Sequence, residues 1–191
     1  PLVESGPLWE GQLARRVAEA APNGALLHVA SSMPIRDLDS FALAREAPLT
    51  ATASRGVNGI DGTLCTALGL AARHKGAAWA ILGDLATLHD AGAFVLAANL
   101  SRPVTAVVID NGGGNIFGFL PIGQHPTAFE PHFFTPQALT PTTLARGLGR
   151  LVAEVTDADG LSAALASESA RRDGGLGVIV VRVDRATNLS Q

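Results

Sequence analysis

Short apolar runs alternate along this chain with stretches of helical period. From Leu8 to Ala21 the residues Trp9, Leu13, Val17 and Ala20 recur every three or four positions, which predicts a helix that Pro22-Asn23-Gly24 ends. Ala25 to Val29 predicts a strand, Ile35 to Leu43 a short helix, Leu49 to Ala53 a strand, and Gly62 to Ala72 a helix whose small residues let it lie close to a sheet. Two apolar runs, Ala77 to Leu82 and Val104 to Ile109, read as buried strands joined by a helix-length stretch from His89 to Leu100. After Phe119, the segment to Gln137 carries four of the 11 prolines and two of the five histidines, which predicts a long irregular loop covering a site. Thr142 to Leu151, Val152 to Thr156, Leu161 to Arg172 and Gly177 to Val183 continue as helix, strand, helix and strand. Such alternation predicts an α/β fold with an open parallel sheet of about six strands and helices on both faces, in one domain over residues 1–191.

Composition narrows the class. With 191 residues, 47% of them hydrophobic, the chain can bury one sizeable core, and 16% charged residues is low enough that part of its surface is expected to meet partners, a second copy first. A net charge of -3 without a basic run gives no electrostatic footing for nucleic acid or an anionic membrane. No apolar run reaches membrane-spanning length and the first residues lack a charged-then-apolar signal pattern, so a cytoplasmic location is expected. The single cysteine, Cys65, stands among Leu64, Ala67 and Leu68 and reads as a small core residue.

Candidate chemistry sits where two strands end. Gly83-Asp84-Leu85 follows the first buried strand, and Asp110-Asn111-Gly112-Gly113-Gly114-Asn115-Ile116-Phe117 follows the second. The carboxyl ends of strands form the ligand crevice of an open parallel sheet. Mg²⁺ takes about six oxygens near ~2.1 Å and keeps substrate phosphates in its shell. A carboxylate from Asp84, an amide oxygen from Asn111 and a carbonyl freed by the glycines are ligands such an ion uses. Taken singly, the first segment reads better as a turn and the second as a flexible loop. Their pairing, with Asp84 and Asn111 27 residues apart, favours a diphosphate and metal site.

That spacing matches the Gly-Asp-Gly to Asn motif of thiamine-diphosphate enzymes, and the chain resembles their diphosphate-binding domain. Within that superfamily it is most similar to the 2-succinyl-5-enolpyruvyl-6-hydroxy-3-cyclohexene-1-carboxylate synthases of menaquinone biosynthesis. Four blocks in order carry the resemblance: Ser31 to Asp37, Ser54 to Gly62, the Gly83-Asp84-Leu85 turn, and Asn111 to Phe117 with Leu120-Pro121. The enzymes it resembles are about three times as long, so the chain is expected to be their C-terminal third, with the N-terminal pyrimidine-binding and central domains outside it.

The resemblance implies a transferase that uses thiamine diphosphate and Mg²⁺, with Mn²⁺ as a substitute. It would decarboxylate 2-oxoglutarate and join the product to isochorismate in a homo-oligomer, a dimer or tetramer. It implies Asp84, Asn111 and the Gly113 carbonyl as metal ligands. Backbone N–H groups of residues 112 to 116, together with Gly83, Leu85 and Ala86, would contact the diphosphate, with Gly114, Asn115 and Ile116 in the glycine-rich loop. Ser32 adds a hydroxyl, Met33 packs near the pyrimidine, and Ile60 pushes the two cofactor rings into a bent shape. Arg36 and Arg55 would take substrate carboxylates, which suits guanidinium geometry and permanent charge. Ser32, Ile116, Phe117 and Leu120 would complete the substrate pocket. By spacing alone an ion pair, for instance of Arg36 with Asp39, is the favoured reading, and only the surrounding motif reverses this. No catalytic residue is expected in this chain, because the family's glutamate belongs to the N-terminal domain of a neighbouring subunit. The pattern departs from the superfamily at Leu85, Ala86 and Asp110, the last adding a negative charge beside the metal site. Alternatives are another 2-oxoacid decarboxylase or carboligase of the superfamily and a non-catalytic binding or assembly domain of the same fold. A nicotinamide dehydrogenase is disfavoured, since no Gly-x-Gly-x-x-Gly turn follows Val29.

Overall fold

The computed structural model describes residues 7–56, 59–148 and 150–190, so Val57 and Asn58 of the second motif block lie outside the described residues. In chain order the elements are α1 (Glu10–Ala20), β1 (Ala25–Val29), α2 (Met33–Phe41), β2 (Leu49–Ala53), α3 (Thr63–Ala71), β3 (Ala78–Gly83), α4 (Asp84–His89), α5 (Ala91–Ala97) and β4 (Pro103–Asp110). They continue with α6 (Pro126–Phe129), α7 (Pro141–Leu148), β5 (Arg150–Val155), α8 (Ala158–Ala170), β6 (Gly175–Arg182) and α9 (Arg185–Leu189). The six strands form one sheet in the order β2-β1-β3-β4-β6-β5, and every neighbouring pair is parallel. The expected α/β architecture is therefore present.

Strand pleating divides the core in two. On β3 the residues Ala78, Ala80 and Leu82 face one layer while Trp79 and Ile81 face the other, and β4 and β6 alternate in the same way. The first layer is closed by Leu64 and Leu68 of α3, Phe94 of α5 and Leu144 of α7. The second is closed by Leu13 and Val17 of α1 and by Leu161 and Leu165 of α8. Each large apolar side chain buried there contributes about 1.5–3 kcal/mol. The interiors of the central strands are buried because both faces are covered, which is why their sequences are continuous apolar runs.

β1 is followed by β2 on one side and β3 on the other, so the direction of winding reverses between β1 and β3. A crevice opens at the carboxyl ends of the strands at such a point. The turns after β1, β3 and β4 all lead into it.

Three local expectations change. The helix predicted from His89 begins five residues earlier, at Asp84, and breaks at Asp90 into α4 and α5. Asp90 is withdrawn from its own helix because its buried carboxylate accepts N–H bonds from Gly62, Leu64 and Cys65 at 2.7, 2.6 and 3.2 Å, capping α3 from outside. The segment after Phe119 is not an irregular loop: it folds into a short 3₁₀ turn at Pro121–Gln124, α6, and a π turn at Glu130–Phe134. The helix predicted to Leu151 ends at Leu148, since Arg150 and Leu151 already pair with β6.

Candidate functional site

A cavity of about 470 Å³ lies at the carboxyl ends of β1, β3 and β4, a size suited to a small ligand or cofactor. Its walls include Ser31, Ser32 and Met33 after β1, Arg55 beyond β2, and Ile60 before α3. Gly83 to Ala86 enter from β3, and Asn111 with Gly113 to Phe117 from β4. Nearly every residue expected from sequence is thus brought together. Gly112 and Leu120 are the exceptions, both outside the lining; the turn at Asn115–Phe119 carries Leu120 past the mouth, where it is exposed.

Asp84 heads α4 directly behind β3, and its Oδ1 accepts the Leu85 N–H at 2.7 Å. Burial pushes its carboxyl up to about 7; Asp110 and Glu10 push the same way, against the Leu85 and Gly112 N–H groups. A cation at this point would reverse that balance. Asp110 is itself raised by burial and is offset first by Arg182, its register partner on β6. Arg182 in turn pairs with Glu154 at 2.5 Å.

Asn111 is held from two sides. Its Nδ2 donates to Glu10 Oε1 at 2.8 Å, and its Oδ1 accepts the Gly113 N–H at 3.3 Å. Gly112 adopts φ 88°, a left-handed conformation that favours glycine. A Cβ on Gly113 would lie 2.2 Å from Phe134 O, and one on Gly114 2.3 Å from Phe133 O, so only glycine lets the loop sit against the π turn. The segment expected to cover the site therefore buttresses the loop from behind. Four of the expected diphosphate donors already have partners within the protein. The Gly113 N–H is taken by Asn111, Gly114 N–H by Phe134 O at 2.6 Å, Asn115 N–H by Gly113 O at 2.9 Å, and Leu85 N–H by Asp84.

Free polar capacity lies in side chains instead. Asn115 is only 2% exposed, and its amide oxygen and nitrogen meet no well-formed hydrogen-bond partner, although the amide lies near enough to the Glu10 carboxyl to help pull it down; Ser31 Oγ is likewise buried and unpaired. Buried polar groups are costly to leave unmade, so such groups facing a cavity fit a polar ligand. Together with the acid at Asp84, the amide oxygen of Asn111 and a Gly113 carbonyl that retains a lone pair, the lining suits a hard cation and a phosphate. Ile60, partly exposed, is an apolar wall of the cavity and no part of either core layer.

Arg36 and Arg55 converge on one turn: Arg36 Nη1 donates to Ser32 O at 2.6 Å and Arg55 Nη1 to Ser31 O at 3.1 Å. The alternative ion pair of Arg36 with Asp39 does not form among the described residues. Both guanidiniums line the mouth of the cavity and keep donors for anions.

Two buried acids lie near the cavity: Glu10, which the sequence reading missed, and Asp37, which it named only as the end of a motif block. Glu10 sits at the start of α1, 2% exposed and raised first by burial. Asp37 on α2 is pushed up to about 7 by burial and by Glu10, against the pull of Arg36. Glu10 does carry a signal, since it precedes Leu13, Ala14 and Val17 at helical spacing and so lies on the apolar stripe, where an acid is out of place. Asp37 yields a stability prediction. A folded-state value near 7 against 3.8 unfolded means that ionisation opposes folding, so stability is full below pH ~4 and is lost as pH rises through 7. Asp37→Asn should therefore be more stable than the parent at pH 8, by on the order of 2–4 kcal/mol, with no gain at pH 4. Denaturant melts at the two pH values check this, and an equal effect at both would be the contrary result.

Comparisons with known proteins agree with this geometry. Residues 38–181 match the family described as thiamine pyrophosphate enzyme, C-terminal TPP binding domain. The chain is 46% identical over 190 residues to the 2-succinyl-5-enolpyruvyl-6-hydroxy-3-cyclohexene-1-carboxylate synthase of Myxococcus xanthus, covering 96% of this chain and 31% of that protein. To the Rubrobacter xylanophilus protein of the same name it is 40% identical, covering 99% and 32%. It thus spans about a third of the length of these relatives. In fold it is similar to benzoylformate decarboxylase from Polynucleobacter necessarius, with a TM-score of 0.72 at 19% identity over 95% of this chain and 34% of that one.

Proposed function

Because the chain belongs to the family of C-terminal TPP-binding domains of thiamine pyrophosphate enzymes, we propose that its cavity holds the diphosphate of thiamine diphosphate through a divalent cation, Mg²⁺ or Mn²⁺. The observation that carries this is the meeting of Asp84, Asn111 and the Gly113 carbonyl beside the unpaired Asn115 amide at the strand ends. Asn115 and the serines after β1 take the place of the loop amides as phosphate partners. Met33 and Ile60 are the apolar walls against which the cofactor rests. When bound, the cofactor supplies the electron sink for decarboxylating a 2-oxoacid.

The reaction we assign is that of the 2-succinyl-5-enolpyruvyl-6-hydroxy-3-cyclohexene-1-carboxylate synthases, with 2-oxoglutarate and isochorismate as substrates. The likeness to relatives of that name supports it. So do the two arginines at the mouth, since both substrates carry carboxylates. Further domains, contributed upstream or by another copy, would complete the site, and a homodimer or tetramer is the expected assembly.

In the enzyme with its upstream domains, Arg36→Ala and Arg55→Ala should each lower kcat/KM by about 2–5 kcal/mol of transition-state stabilisation while leaving thiamine diphosphate affinity unchanged. Steady-state formation of the coupled product, run beside calorimetric cofactor titration, separates the two effects. An arginine variant that melts early and retains full kcat/KM would contradict the substrate role.

A further inference from the structure

We propose that Glu10 is a positioning residue for Asn111: its carboxyl group fixes the Asn111 amide so that the oxygen, never the nitrogen, is the atom offered to the metal. The proposal rests on the cofactor reading above and adds a residue that none of the four motif blocks contains. Glu10 is the first residue of α1, on a different helix and 101 residues away in sequence, yet its Oε1 accepts the Asn111 Nδ2–H at 2.8 Å. Its own backbone N–H is anchored on Asn188 Oδ1 of α9 at 3.1 Å, and its side chain is 2% exposed, so the acceptor is held in place from behind.

An asparagine amide has two ends of similar shape and opposite polarity, and only its oxygen can ligate a cation. With Nδ2 committed to Glu10 and the Gly113 N–H directed at Oδ1, a half-turn of the amide would set donor against donor at Gly113 and lose both bonds. The oxygen retains a spare lone pair. Outer carboxyl groups that orient a ligating side chain in this way change metal affinity by about 10–100-fold when removed. Gln can replace Glu here because its amide oxygen also accepts from Nδ2, whereas Met fills the same space without an acceptor.

The test uses the full chain labelled with ¹⁵N, as parent, Glu10→Gln and Glu10→Met, with Asn111→Ala serving only to assign the Asn111 side-chain signals. Without ligand, the parent and E10Q should show Asn111 amide protons protected from exchange with water, and E10M should show them exchanging fast. With thiamine diphosphate added, Mn²⁺ titration followed by electron paramagnetic resonance should give E10Q an affinity within about threefold of the parent, and E10M about 10–100-fold weaker. Fast-exchanging Asn111 protons in the parent would overturn the proposal whether or not cofactor binds, and need no variant to fold. Parent-like Mn²⁺ affinity in folded E10M, or a loss in E10Q as large as in E10M, would overturn it too. Ordered Asn111 protons in a parent that binds no Mn²⁺ with thiamine diphosphate would instead overturn the cofactor reading, and the metal-positioning role with it.

Discussion

Asp84→Ala is expected to abolish metal-supported binding of thiamine diphosphate, with a loss of more than about 100-fold, or roughly 3 kcal/mol. Asp84 is the one anionic member of the ligand set formed with Asn111 and Gly113, and it is 5% exposed at the head of α4. Its removal leaves a doubly charged ion facing neutral oxygens at a buried position, where each lost charge interaction counts for more than at the surface. Asn111→Ala deletes one neutral ligand and should cost less than Asp84→Ala, but no less than the about 10–100-fold expected of Glu10→Met, which acts only through Asn111. The fold should survive both changes, because neither side chain belongs to the two apolar layers that hold the sheet. Calorimetric titration of thiamine diphosphate at fixed Mg²⁺, repeated without metal, measures the effect. Parent affinity in Asp84→Ala would remove the metal assignment, and with it the reason for Asn111 and Gly113 to converge.

The second large effect is a missing one: the 191-residue chain, saturated with thiamine diphosphate and Mg²⁺, should release CO₂ from 2-oxoglutarate at least about 10²–10⁴-fold more slowly than an intact carboligase. The resemblance requires a glutamate carboxylate set against the cofactor's pyrimidine ring as the group that turns on proton removal. The acids near this cavity are committed elsewhere. Glu10 faces Asn111 at the metal end, and Asp84 bonds Leu85 at the same end. Asp37 is buried within α2, and Glu130 pairs with Arg185 at 2.8 Å behind the glycine-rich loop. Adding upstream domains that carry their own glutamate should restore part of the activity. Turnover by the chain alone at the rate of an intact enzyme would mean that one of these carboxylates takes the proton-transfer role, and Glu10→Gln would then be the first variant to lose it.

The break between α4 and α5 and the helices α6 and α9 were not legible in the sequence, but the order of the six strands, the burial of β3, β4 and β6, and the placing of Asp84 and Asn111 at neighbouring strand ends were. Each depends on local chemistry: apolar runs must be covered on both faces, and a motif directly behind a strand must emerge at that strand's carboxyl end. The tertiary structure alone decided which polar groups face one another. Asp90 leaves its own helix to cap α3, and Phe134 O takes the Gly114 N–H expected to bind phosphate. Glu10 reaches Asn111 from the opposite end of the chain, and Arg36 turns to the Ser32 carbonyl rather than to Asp39. Hydrophobic period reports where a side chain points relative to the core, and that is a property of a few neighbouring residues. A hydrogen bond between residues 101 apart depends on how every intervening element packs, so no local pattern encodes it. The acid on the apolar stripe of α1 was the one trace of that pairing the sequence held, and only the folded sheet supplied its partner.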